Sequence, residues 1–168
     1  MIEFLRIFVI AVVLGFLQSF IIGEVDMGVW LRPMPYLLLF LITPVNFDKY
    51  WLLIIAFIFG MFIDLTSGTY GTHAASCVAM VFAKNFIDIR YADFDSLKLQ
   101  GETYVGTDTK GLMYFFYYSG ALIFIHHFVF FLLDYFEFVS FFRMILSTIV
   151  STIGTFLLIL LFKSIIKR

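Results

Sequence analysis

Charge is scarce in this chain. Only 14% of its 168 residues are Asp, Glu, Lys or Arg, where a soluble domain carries roughly a quarter. That is too few to coat a water-facing surface. The 11 basic and 12 acidic residues leave a net charge of −1. They form no basic block or stripe, which excludes the electrostatic footprint of a nucleic-acid binder. Cysteine is nearly absent: Cys77 stands alone, so neither an internal disulfide nor a cysteine-built metal cage can form. Its place between Ser76 and Val78 in an apolar stretch predicts a buried packing residue. A phosphate-cradling loop is missing too, since "GTYGTH" at 68–73 has neither the lysine nor the strand-to-helix setting of one.

What the chain has instead is apolar surface. Hydrophobic residues make up 62%, aromatic residues 21% with 24 phenylalanines, and the mean hydropathy is +1.03. They come in long runs rather than in alternation. This predicts an all-α integral membrane protein, one domain over residues 1–168, built as a six-helix transmembrane bundle with almost no soluble part. A bilayer core of ~30 Å needs about 20 helical residues, and the candidate spans are 4–22, 35–47, 50–65, 72–87, 111–135 and 141–166. The first is longer than a signal-peptide core of ~7–15 residues and no A-x-A site follows it, so a retained span is expected. The second is short and flanked by Pro35 and Pro44, either a short span or a re-entrant segment buried by protein.

Lysine and arginine orient the set. With six spans and a cytoplasmic N-terminus, the inner side holds Arg6, Lys49, Lys84, Arg90, Lys98, Lys110, Lys163, Lys167 and Arg168, nine against Arg32 and Arg143 outside. If 35–47 does not span, Arg6 and Arg32 exchange sides and the bias is unchanged. Six is preferred, because a free amino group beside Arg6 resists translocation. Both termini and loop 88–110 are then cytoplasmic. Within that loop, Leu97, Leu99 and Tyr104 around Gly101 could form a small hairpin.

Inside a membrane, helices associate through close backbone approach between small residues. Three stripes at four-residue spacing offer it: Ala11, Gly15, Ser19 and Gly23; Ala75, Ala79 and Ala83; and Ser147, Ser151 and Thr155, with Gly154 beside the last. Each lies on one helical face, for packing within the bundle or for a partner's helix.

Reactive-looking groups do not assemble into a reaction centre. His126 and His127 are adjacent, so on a helix they diverge by about 100° and cannot share one metal. "HHFVFFLLDYFE" lacks the H-E-x-x-H of zinc proteases, and in "YYSGA" Tyr117 replaces the first glycine of an intramembrane G-x-S-G nucleophile. No catalytic residue, metal or cofactor is therefore expected. Asp64, at the end of an apolar run, is the exception that needs a reason, because an ionisable group at membrane depth is expensive. Thr66, Ser67, Gly68 and Gly71, followed by Thr72 as a natural N-cap, describe a tight turn that Asp64 would fix by accepting backbone N–H bonds. A ligand or proton site is the alternative.

"IFGMFIDLTSGTYGTHAASCVAMVFA", residues 58–83, resembles the signature region of the rod shape-determining protein MreD family. Gly60, Asp64, Gly71 and Ala74 fall at matching positions, with Gly68 in the same turn. "PMPYLLLFLITPVNF" at 33–47 resembles that family's short, proline-flanked second segment, and length and plan agree over essentially the whole chain; loop 88–110 is longer and more polar than the family pattern. The resemblance implies a non-enzymatic subunit of the bacterial elongation machinery in the inner membrane. Its partner would be an MreC-like protein, in company with MreB, RodA and a class B penicillin-binding protein. It also implies a helical arrangement similar to the S component of energy-coupling-factor transporters. That likeness raises a second reading, the substrate-binding subunit of a vitamin-type importer. Such a site would draw on the few outer polar groups: Glu24, Asp26, Arg32, Asp64, Tyr70, His73, Glu137 and Arg143.

Overall fold

A computed structural model describes residues 2–23, 25, 28, 30–45, 47–91, 112–135 and 141–166. The expected hairpin around Gly101 and the turn at Glu137 lie outside them. Among the described residues there are six α-helices and no strand: α1 (Ile2–Leu17), α2 (Leu38–Leu41), α3 (Lys49–Ser67), α4 (Thr72–Tyr91), α5 (Leu112–Asp134) and α6 (Phe141–Ile166). Stretches of three of them, Lys49–Ser67, Phe115–Asp134 and Phe141–Phe162, are long and apolar enough to cross a membrane. Phe57, Ile58, Leu65, Phe82, Phe124, Phe142 and Leu157 are exposed on the outside of the bundle. An apolar exterior over an ordered interior is the surface of a helical membrane protein.

Local chemistry sets the helix ends. Asp48 caps α3, its Oδ1 accepting from the backbone N–H of Tyr50 at 2.9 Å and of Trp51 at 3.0 Å. Gly68, at φ +69°, closes the other end in the left-handed region, where a side chain would be strained. α1 does not stop at Leu17 but widens into a π turn over Gln18–Ile22, closed by the Gly23 N–H donating to the Gln18 carbonyl at 2.7 Å. α4 lies between α3 and α5, and α5 packs on α6.

The second expected span takes another form. Helical structure runs only from a 3₁₀ turn at Pro35–Leu37 through the four residues of α2, a climb of about 12 Å at standard rises. Pro44 disfavours α geometry at Thr43 and has no N–H to give. Every residue from Pro33 to Leu41 is buried, so this segment fills the centre of the bundle and does not face lipid. It also travels. Gly15 of α1 packs on Phe59 and Phe62 of α3, and Ser19 meets Thr66, so α1 and α3 run in the same direction. The chain between them therefore returns from the Asp64 end of the bundle to the opposite end.

Candidate functional site

Polar groups concentrate at the Asp64 end. Asp64 is buried, and its carboxylate joins two helices. Oδ1 accepts from the His73 N–H at 3.0 Å and from the Thr69 hydroxyl at 2.5 Å, while Oδ2 accepts from the Ala74 N–H at 2.9 Å. The last residues of α3 thus cap the first turn of α4. Thr72, expected to be that cap, is already helical, and its buried Oγ1 has no partner. Asp64 takes the role because it reaches two amide groups and carries a full negative charge at a helix N-terminus. Gly60 makes this geometry possible. A Cβ there would lie 2.7 Å from the Ala74 nitrogen and 2.9 Å from the His73 carbonyl oxygen, so α3 and α4 touch backbone to backbone. Gly71, at φ +86°, turns the chain into α4. Gly60, Asp64, Gly68, Gly71 and Ala74 form one junction.

Beside it, a non-helical segment, 30–34, lies along α6. The Ser151 hydroxyl donates to the Trp30 carbonyl at 3.2 Å and accepts from the Arg32 N–H at 3.0 Å; Thr155 Oγ1 accepts from the Met34 N–H at 2.9 Å. Ser147, Ser151 and Thr155 are fully buried, so two of the three hold this segment's backbone, and the stripe faces inward. His127 completes the cradle. Its Nδ1 lies 2.9 Å from the Ile123 carbonyl, which can only accept, so that nitrogen carries the proton of the neutral ring. Nε2 then accepts from the Thr155 hydroxyl at 3.2 Å, and its 3.4 Å approach to the Arg32 carbonyl is not a bond.

His126 points elsewhere. Tyr36 Oη sits 3.0 Å from His126 Nε2 and 2.8 Å from His73 Nδ1. A phenol donates once, so one imidazole must donate to it. His126 Nδ1 is buried without a partner, and an orphaned lone pair is more tolerable there than an orphaned N–H. His126 therefore donates from Nε2, and the one proton of the Tyr36 hydroxyl goes to His73 Nδ1 or to Met34 Sδ, 3.7 Å away. This chain ties α4, α5 and the segment around Tyr36 together through three side chains with no charge among them. Cys77 is buried, with Sγ 3.8 Å from His126. Among the described residues no cluster of His, Cys, Asp and Glu has the makings of a metal site.

Above these groups opens a cleft of about 730 Å³, between the π turn, the end of α3, segment 31–34 and the end of α5. Arg32 and Asp134 pair across it at 2.9 Å, with side chains 47% and 23% exposed, and Arg32 lies 6.0 Å from the Phe130 ring centre. Ser19 and Thr66 line it, bonded at 2.7 Å. Thr66 already donates to the Ile63 carbonyl, so Ser19 is the donor. Gln18, only 7% exposed, lines the same cleft with its Oε1 unpartnered.

The first small-residue stripe is spent on internal contacts as well, through Gly15 and Ser19. The α4 stripe is the one with no fully buried member: Ala75 is exposed, and Ala79 and Ala83 are half-buried, whereas in the first stripe Gly15 and Ser19 are buried between a half-buried Ala11 and an exposed Gly23. Sequence reasoning missed Gln18, Tyr36 and the Arg32–Asp134 pair, whose members are 102 residues apart. It also counted Lys84 among the cytoplasmic charges. Lys84 is 1% exposed, and its amine bonds Asp88 Oδ2 at 2.6 Å while Tyr118 donates to Oδ1 at 2.8 Å. The i,i+4 spacing of a lysine and an aspartate in an apolar helix was a readable signal for that pair.

No family model, curated protein or solved structure matches this chain. The reading of its function rests on the residues themselves.

Proposed function

We propose that this protein is a non-enzymatic subunit of the bacterial elongation machinery, in the inner membrane, that binds an MreC-like single-span partner. It would cross the membrane six times with both termini in the cytoplasm, and act beside MreB, RodA and a class B penicillin-binding protein in lateral wall synthesis. One observation carries the reading. The residues on which the MreD resemblance rests, Gly60, Asp64, Gly71 and Ala74, act together at a single helix junction, which accounts physically for a motif of those residue types at that spacing. The Ala75–Ala79–Ala83 face supports the partner's place, because close backbone approach drives helix association in lipid and the other two stripes are buried at Gly15 and Ser19 and at Ser147, Ser151 and Thr155.

The test is copurification with the MreC-like protein. Ala75→Leu with Ala79→Leu should reduce recovery of the partner about tenfold while the subunit accumulates normally. Gly15→Leu with Ser19→Leu should instead lower the amount of folded subunit. Partner recovery unaffected by the α4 pair refutes this placement of the interface. The substrate-binding subunit of an importer is the second reading, favoured by the cleft, and copurification of a membrane-associated ATPase in place of the MreC-like protein would establish it.

A further inference from the structure

The cleft at the Asp64 end holds features that neither helix packing nor partner binding requires. Its volume of about 730 Å³ is within the range of small-ligand pockets, ~300–1,000 Å³. The described lining carries one cation, Arg32, and one anion, Asp134, paired to each other and still partly open to solvent. Gln18 brings an acceptor oxygen with no donor to satisfy it, and a buried acceptor left so is costly. It stands at the first position of a π turn, a helix irregularity common at functional sites. Ile22, Leu31, Met34 and Phe130 supply apolar wall.

We propose that this cleft binds a small zwitterion: an ammonium group carried a few atoms from an anionic one. A lone anion would meet Asp134 and a lone cation would meet Arg32, so either would be repelled by half of the ion pair. A zwitterion matches both halves. Its carboxylate or phosphate takes the guanidinium, whose planar fork of donors matches either group bidentately, and its ammonium donates to Asp134 and to Gln18 Oε1, giving the orphaned oxygen its donor. Two sources present this chemistry, a free amino acid or the headgroup of an ethanolamine phospholipid. The phospholipid has a path for its chains over Phe20 and Ile21, both exposed beside the cleft.

The full-length protein would be purified in detergent and assayed in two arms. In the first, native mass spectrometry compares retention of phosphatidylethanolamine with that of phosphatidylglycerol of the same chain length. In the second, thermal unfolding follows titration with L-alanine, as the free amino acid. Gln18→Leu and Asp134→Asn serve as variants. Gln18→Leu should remain folded, with a ligand-free Tm unchanged or raised, because it removes an unsatisfied group.

Retention of one phosphatidylethanolamine in preference to phosphatidylglycerol, reduced at least fivefold in both variants, establishes the site with the lipid as source. A rise in Tm with L-alanine that both variants abolish establishes it with the amino acid as source. Absence of binding in both arms overturns the proposal, as does binding that the variants leave unaltered. The result is separable from the partner reading, since copurification through the α4 face does not involve the cleft.

Discussion

Gly60 and Asp64 divide one task at the α3–α4 junction: the first lets the backbones meet and the second satisfies the amides exposed there. Gly60→Ala places a methyl against the backbone of Ala74 and His73, where no rotamer can move aside. It should destabilise by about 1–3 kcal/mol, the usual range for overpacking, or more. Adding Ala74→Gly should give no rescue, because the obstructing atoms are main chain; recovery of Tm in the double variant would contradict this geometry. Asp64→Asn keeps one acceptor oxygen but turns its NH2 toward one of the two amides, and should cost roughly 1–3 kcal/mol for that one group. Asp64→Leu leaves two amides and a hydroxyl without an acceptor, at roughly 1–3 kcal/mol for each buried group, and little folded protein should survive. If Asn fails as badly as Leu while abundance stays normal, the carboxylate serves a charge-dependent role and not a capping one. The sequence points to a corner at Asp64 but not to the groups it satisfies, because the Thr69, His73 and Ala74 donors converge only once the turn is folded.

At the scale of elements, the polar side chains of α4 explain why it is less apolar than its neighbours. Lys84 and Asp88 are taken out of lipid by pairing with each other and with Tyr118 of α5. Removing one member strands a buried charge, at about 3–5 kcal/mol, whereas replacing both by apolar residues is often tolerated. Lys84→Met and Asp88→Leu should each sharply reduce the amount of folded protein. The double variant with Tyr118→Phe should recover most of it, measured by monodisperse yield in detergent. Single variants that accumulate normally would show the pair to be dispensable. The same economy governs the segment 30–34, whose non-helical backbone is acceptable at depth because Ser151 and Thr155 bond it.

For the molecule as a whole, the parallel course of α1 and α3 bears on topology. The chain between them returns along the bundle, which supports the proposed crossing at 35–47 despite the seven helical residues there. Without Lys84, a buried partner of Asp88, the proposed orientation sets eight basic residues inside against two outside. In a functional Cys77→Ala background, Glu3→Cys and Lys167→Cys should both be inert to an impermeant thiol reagent in intact cells. Reaction at position 3 with none at 167 would establish five crossings.

Composition and run length determined by themselves that this is a helical membrane protein, because hydropathy and charge scarcity are sums over residues and need no partner. The turn residues of 64–72 were legible for a related reason: glycine and aspartate act on the chain next to them. The 35–47 segment was legible only as an irregularity, since prolines announce where a helix stops and not where the chain then goes. The tertiary structure alone decided which small-residue stripe faces outward and where the histidines find their acceptors and donors. It alone brought Gln18 into one cleft with Arg32 and Asp134. Those facts depend on contacts between residues tens of positions apart, and a bundle's interior is selected by all its helices at once.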